Sequence, residues 1–197
     1  MKSIPVAEII QQTEICHQGF LELKKHTIQY TKFSGERSRI HQREVLVRDA
    51  TVGILLFDSK MNKVLLTEQF RIGALENNDH PWIFELPAGV IDQGETAETA
   101  VCREVKEETG YLVEHSELIG DFYVSPGGTS ETTKIYFAEL VLDASGVHGE
   151  ATENEDIRTH LIDFDEALSW IGTQKLSASA AIAFLWLANK RLTRKLK

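Results

Sequence analysis

The run from Gly89 to Tyr111, GVIDQGETAETAVCREVKEETGY, decides how the rest of this chain is read. Within it Ala97, Val101 and Val105 recur at i, i+4 and i+8, the apolar stripe of an amphipathic helix over 96–109. Thr96 is suited to cap the helix start, and Gly110 to end it in the left-handed conformation. The same helix carries Glu104, Glu107 and Glu108 just behind Arg103. At i, i+3 and i+4 these carboxylates share a face, which costs a few tenths of a kcal/mol, roughly, for each repelling pair. That cost is small, so energy alone admits either a solvated acidic face or a site for something strongly positive.

Around this helix the composition is that of an ordinary globular chain. The 197 residues are 42% hydrophobic and 26% charged, enough for one good core and a small accessory piece. A formal net charge of −9 argues against broad binding to nucleic acid or anionic membranes. It leaves room for an acidic substrate, because bound cations reverse the local field. Cys16 and Cys102 stand far apart with no CxxC, as reduced thiols of a cytosolic protein do. The N-terminal MKSIPVAEIIQQTE lacks an uninterrupted apolar region, and AAIAFLWLA (180–188) is too short to span a bilayer. A cytoplasmic location is therefore expected.

Residues 1–47 are strand-biased with a turn at SGERS (34–38) and read as an antiparallel arm, leaving 48–197 as the main domain. TVGILLFD (51–58) and KVLLTEQF (63–70), separated by SKMN, predict a core hairpin. WIFELPAGVID (82–92) is a further extended piece broken at Pro87 and Gly89, and strands are expected near 118–124, 134–142 and 159–164. Two helices close the chain at 165–171 and about 178–194, the second with a stripe of Ile182, Leu185, Trp186 and Leu187. Strands interleaved with helices predict an α/β sandwich with a mixed sheet. No HExxH, P-loop or GxGxxG occurs, and the seven histidines show no ligand spacing.

Spacing separates the two readings of the acidic helix. Gly89, five residues, Glu95, seven residues, Arg103-Glu104, two residues, Glu107-Glu108, one residue, Gly110 and Tyr111 match GX5EX7REUXEEXGU at every fixed letter. A chance match is on the order of 10⁻⁹ per starting point, given ordinary residue frequencies. The stretch resembles the signature of the Nudix hydrolases, whose loop–helix–loop binds divalent metal. The resemblance implies an α/β/α sandwich, Glu104 and Glu108 as direct metal ligands, a contribution from Glu107, and the backbone carbonyl of Ala88 as a further ligand. Glu95 and Arg103 would be structural, Arg103 orienting the glutamates. The chemistry agrees: Mg²⁺ takes oxygen ligands and is held by few carboxylates together with substrate phosphates. Mn²⁺ is the alternative ion.

The remainder of the chain bears on the substrate. Pro126 stands sixteen residues after Gly110 in SPGGTSE (125–131), a run that is turn chemistry in itself. It also resembles the ADP-ribose pyrophosphatase branch, implying substrate contacts from Ser125, Gly127, Gly128 and Thr129. Related GDP-mannose and other sugar-nucleotide hydrolases carry similar loops and are the alternative, as is a non-catalytic sensor of ADP-ribose or NAD metabolites. GVHGEATENEDIRTHL (146–161) resembles the branch's mobile catalytic loop, implying Glu153 as general base and Glu155 as an additional metal ligand. Arg71, in EQFRIGALE, resembles the arginine that holds the substrate phosphate. Arg43 resembles a second arginine near the nucleoside, where relatives have Arg-Arg and this chain has Gln42-Arg43. Phe20 lies in the arm, and the resemblance implies that it stacks on adenine across a domain-swapped homodimer. Taken together, the expected activity is Mg²⁺-dependent hydrolysis of ADP-ribose to AMP and ribose 5-phosphate.

Overall fold

In the computed structural model, which describes residues 6–9, 13–143, 146–148, 156–173 and 176–195, the strand-biased N-terminal sequence folds as an antiparallel sheet. Its strands are β1 (Ala7–Ile9), β2 (Glu14–Gln18), β3 (Glu22–Tyr30) and β4 (His41–Val47). Strand β3 is the spine: β4 pairs along Glu22–Ile28, while β1 and β2 pair with Ile28–Tyr30 and Glu22–Lys25. The described residues up to Asp49 group with Tyr123–Thr132 as one compact unit. Within that unit the SPGG turn is sewn to the end of β4. Leu46 donates its N–H to Gly128 and accepts from Ser130 N–H, and the Ser130 hydroxyl bonds both backbone groups of Arg48.

The second unit, Ala50–Phe122 with the described residues from Thr133 onward, is built on the expected hairpin of β5 (Thr51–Asp58) and β6 (Lys63–Phe70). Then come α1 (Ile72–Glu76), β7 (Trp82–Glu85), β8 (Ala88–Val90), α2 (Ala97–Thr109), β9 (Glu117–Tyr123), β10 (Thr132–Glu139), β11 (Val147–His148), β12 (Ile157–Asp163), α3 (Phe164–Ser169) and α4 (Ala178–Lys195). The sheet runs β11-β12-β6-β5-β10-β9, with β7 attached to β6 and β8 to β5. It is mixed, because β10 lies parallel to β5 while β6 lies antiparallel to it.

Alternation along the central strands sends successive side chains to opposite faces. Val52, Ile54, Leu56 and Leu65 pack with Ala97, Ala100, Val101 and Val105 of α2. Leu55, Phe57, Val64 and Leu66 pack with Phe164 of α3 and with Ala180, Ala183, Phe184 and Leu187 of α4. This is the α/β/α sandwich. Burying each of the larger side chains stabilises the fold by about 1.5–3 kcal/mol before chain entropy is counted. Among the described residues no helix is long and apolar enough to cross a membrane.

Three local expectations change. The buried stripe of α4 is Ala180, Ala183, Phe184 and Leu187; Ile182 and Trp186 pack at its margins, and Leu185 is exposed. Small alanines let α4 lie close to the sheet, so they sit inward with Phe184 and Leu187, while Leu185 faces out. The extended piece 82–92 is interrupted at Pro87 as expected, leaving two strands with different partners, but Gly89 lies inside β8 and does not break it. The short helix α1 was not expected: it has five residues and no side-chain cap.

Candidate active site

Helix α2 begins and ends where its sequence says it should. The Thr96 hydroxyl accepts from Thr99 N–H at 3.2 Å, and Gly110 takes φ 75°, the left-handed conformation that glycine tolerates best. Val101 and Val105 are fully buried against the sheet, which fixes the helix rotation and so the direction of its glutamates.

That rotation grades the three carboxylates. Glu108 falls on the buried side at 3% exposure, and its Oε2 accepts the N–H of Ala88 at 2.9 Å. The side chain of Glu104 is 12% exposed and that of Glu107 is 47% exposed. Glu104 lies over β8 so closely that a Cβ on Gly89 would stand 1.9 Å from its Oε1. Glycine at 89 is therefore a spatial requirement: it is the gap into which the carboxylate fits.

The positive group already among the carboxylates is Arg103. Its Nη1 donates to Glu104 at 2.7 Å and to Glu107 at 3.1 Å. Its Nε and Nη2 take both oxygens of Glu95 at 3.1 and 3.0 Å, and Nη2 also donates to the carbonyl of Val90 at 2.9 Å. The bidentate pairing with Glu95, and then Glu104 and Glu107, holds the guanidinium far above its usual range, against the opposing effect of burial. In return Arg103 holds the Glu95 carboxyl below the usual carboxylate range. Glu95 also accepts the N–H of Asp92, tying the loop before α2 to the same network. One planar cation thus orients Glu95, Glu104 and Glu107, while Glu108 accepts from the Ala88 N–H.

On the neighbouring rail, Arg71 follows β6 and its Nε donates to Glu85 Oε2 at 2.6 Å. Glu85 ends β7 three residues before Ala88. The donors grouped along β8 and α2 are oxygens: the Glu104, Glu107 and Glu108 carboxylates and the backbone carbonyl of Ala88. Such a set fits a hard divalent cation that keeps several waters and completes its shell with phosphate oxygens. Among the described residues no three carboxylate, imidazole or thiol groups converge on one point, so Glu104, Glu107 and Glu108 do not form a ready-made cage in this arrangement.

Of the other residues singled out in the sequence, Arg43 is exposed on β4 and its Nη1 bonds the carbonyl of Gln42. Phe20 is 96% exposed, with the Arg48 guanidinium 5.8 Å from its ring centre. Ser125, Gly127, Gly128 and Thr129 form the docked turn, in which the Ser125 carbonyl accepts from both Gly128 and Thr129 N–H. These residues share the first compact unit, whereas Ala88, Arg71 and the box glutamates share the second. Glu153 and Glu155 lie outside the described residues. Sequence reading missed Glu85, and missed why position 89 must be glycine. The acid at 85 stands in ELPAG within the quoted run 82–92, but its partner is fourteen residues away.

A cavity of about 670 Å³, lined by Glu68, Trp82 and Phe84 among others, holds none of the box carboxylates. Glu68 alternates in phase with Val64 and Leu66, and Phe84 packs on Trp170, so this cavity opens on the α3/α4 face, away from α2.

Known proteins resemble this chain along most of its length. The ADP-ribose pyrophosphatase of Escherichia coli (strain K12) is 38% identical over 182 residues, 91% of this chain and 87% of its own. That of Haemophilus influenzae is 35% identical over 176 residues, 87% and 81% of the two chains. A GDP-mannose pyrophosphatase of Shigella flexneri is 32% identical over 173 residues, 87% and 90% of the two. The crystal structure of an ADP compounds hydrolase shares the fold with a TM-score of 0.71 at 16% identity, covering 99% of this chain and 97% of its own. The NUDIX domain model matches residues 47–184, spanning the glutamate helix and the sheet that carries it, and the chain belongs to the NUDIX domain family.

Proposed function

We propose that this chain is a divalent-metal-dependent hydrolase that splits the pyrophosphate bond of ADP-ribose to AMP and ribose 5-phosphate, with Mg²⁺ as the ion. The observation that carries the reading is the arrangement of Glu104 in the gap at Gly89 beside Glu108 on the Ala88 N–H, an all-oxygen donor set on a rigid helix. The ligands would be Glu104, Glu107, Glu108 and the Ala88 carbonyl, joined by Glu155. A divalent cation bound there would neutralise the diphosphate and lower the pKa of a water. Arg103 keeps Glu104 and Glu107 aimed through its Nη1. Arg71 presents its guanidinium to phosphate oxygens, for which the planar fork is suited. Glu153 takes the proton from the attacking water as oxygen bonds to phosphorus and the P–O bond to the bridging oxygen breaks. Phe20, Arg43 and the turn residues Ser125, Gly127, Gly128 and Thr129 serve the nucleoside and sugar.

The relatives' identities support ADP-ribose over GDP-mannose, 38% against 32%. The chain is proposed to act in the cytoplasm as a homodimer with exchanged arms. Exposed Ile15, Phe20, Phe33 and Ile40 in the first unit favour association with a second copy. The test is nucleoside monophosphate release (AMP, GMP or UMP, according to substrate) from ADP-ribose, GDP-mannose, UDP-glucose, NADH and diadenosine polyphosphates, each with Mg²⁺ and with EDTA. Metal-dependent turnover that prefers ADP-ribose is expected. Preference for another sugar nucleotide would overturn the substrate, and no metal-dependent turnover on any would leave a sensor.

A further inference from the structure

We infer that Glu85 is a positioning residue that sets the specificity of the phosphate clamp, through Arg71; the inference rests on the reading of Arg71 given above. Arg71 is held on both sides at its backbone. Its N–H donates to the carbonyl of Pro81 at 2.7 Å, and its own carbonyl accepts from Ala74 N–H at 3.0 Å. A long side chain on a fixed backbone still samples many rotamers. Glu85 removes that freedom at one atom, by taking Nε at 2.6 Å. Arginine offers two bidentate edges, Nε with one Nη, or the two Nη together. With Nε engaged, the second edge is presented, and among the described residues neither Nη has a protein partner. The Arg71 side chain is 43% exposed, so that edge faces solvent, whereas Glu85 is 18% exposed and anchored.

The anchoring continues without a break to the glutamate helix. The Glu85 carbonyl accepts from the Thr67 hydroxyl at 3.4 Å, Leu86 is 1% exposed, and the Pro87 carbonyl accepts from Ile54 N–H at 3.0 Å. Ala88 N–H then donates to Glu108. One short pinned segment therefore registers the guanidinium fork against the oxygen donors of β8 and α2. A diphosphate spans two phosphorus centres, so a fork held at a fixed offset from a metal-binding cluster discriminates such a substrate from a lone phosphate. Glu85 also offsets the charge of Arg71, which weakens nonspecific capture of small anions.

The test is steady-state kinetics on ADP-ribose with the full-length chain: wild type, Glu85→Ala, Glu85→Gln, Arg71→Ala and the double variant Glu85→Ala/Arg71→Ala. Glu85→Ala should raise KM about tenfold with kcat changed less than about threefold, as expected for loss of an outer residue that orients a binding group. Glu85→Gln keeps an acceptor for Nε and should recover most of the loss. The Mg²⁺ concentration for half-activation and Tm should stay at wild-type values, because a purely structural role in β7–β8 would shift both through Ala88. In the Arg71→Ala background Glu85→Ala should add nothing. An undiminished effect of Glu85→Ala in that background, or a shifted Mg²⁺ requirement, would overturn the inference. A raised KM in Arg71→Ala beside an unchanged KM in Glu85→Ala would sink the inference alone. An unchanged KM in Arg71→Ala would sink the clamp reading with it.

Discussion

Replacing Gly89 with alanine sets the arrangement of β8 and α2 against a single methyl group. The new Cβ would lie 1.9 Å from Glu104 Oε1, 2.0 Å from Cδ and 2.4 Å from Oε2. That is roughly 1.5 Å inside a normal non-bonded separation, so one group must yield. Backbone strain is not the issue, because Gly89 is not among the positive-φ glycines Gly35, Gly94, Gly110 and Gly172. The yielding group is the carboxylate, the free end of a flexible side chain, and its departure strains or breaks the 2.7 Å bond from Arg103 Nη1. A charge-assisted bond of this kind contributes about 1.5–3 kcal/mol at most, and less where water replaces it. Stability should therefore fall by about 1 kcal/mol, while displacing a proposed metal ligand by more than an ångström should cost activity about 10²-fold, roughly 2.7 kcal/mol in barrier. The assay pairs thermal unfolding with kcat/KM for AMP release across a Mg²⁺ titration. Gly73→Ala serves as the control, since its Cβ would meet nothing within 4 Å. If Gly89→Ala retained wild-type kcat/KM and Mg²⁺ dependence, the argument that this gap holds Glu104 in its working position would be wrong.

Glu108→Gln should abolish turnover with little change in Tm, since the amide can still accept the Ala88 N–H but carries no charge; near-normal rates would remove Glu108 from the ligand set. Arg103→Ala should destabilise by about 2–3 kcal/mol in chemical denaturation, because Glu95, Glu104 and Glu107 lose their shared partner, and Arg103→Lys should restore only part. Stability should also depend on acid pH through Glu95. Arg103 lowers its folded pKa, so the contribution is fully present above the ordinary carboxylate value of about 4.3 and disappears as pH falls through the folded one. Tm measured down this range should fall less steeply in Glu95→Gln than in wild type, and identical slopes would contradict the linkage. Gly110→Ala should cost about 1 kcal/mol at its left-handed φ of 75°, read from the urea midpoint.

The glutamate helix was legible because everything that defines it is local. Thr96 caps it, Gly110 ends it, Val101 and Val105 orient it, and Arg103 meets Glu107 one turn away. The hairpin was legible for the same reason, as two apolar runs across a short turn. Helix α4 shows the limit: its apolar residues surround much of the helix, so which of them faced the sheet was ambiguous, and Leu185 proved exposed. The loop at 125–131 reads as a turn, yet its backbone bonds to Leu46 join positions about eighty residues apart, which no local pattern encodes.

By itself the amino-acid sequence determined the α/β class, the glutamate helix with its caps, and the family, because short-range periodicity and spacing are properties of contiguous residues. Only the tertiary structure decided that Glu108 is buried on the Ala88 N–H, that Gly89 is the gap for Glu104, and that Arg71 bonds Glu85. Those relations depend on strand register: β6 pairs with β7 from Thr67↔Glu85 to Phe70↔Trp82, and β8 pairs with β5. Register is set by how the whole sheet buries its two faces, so it emerges only when distant residues meet.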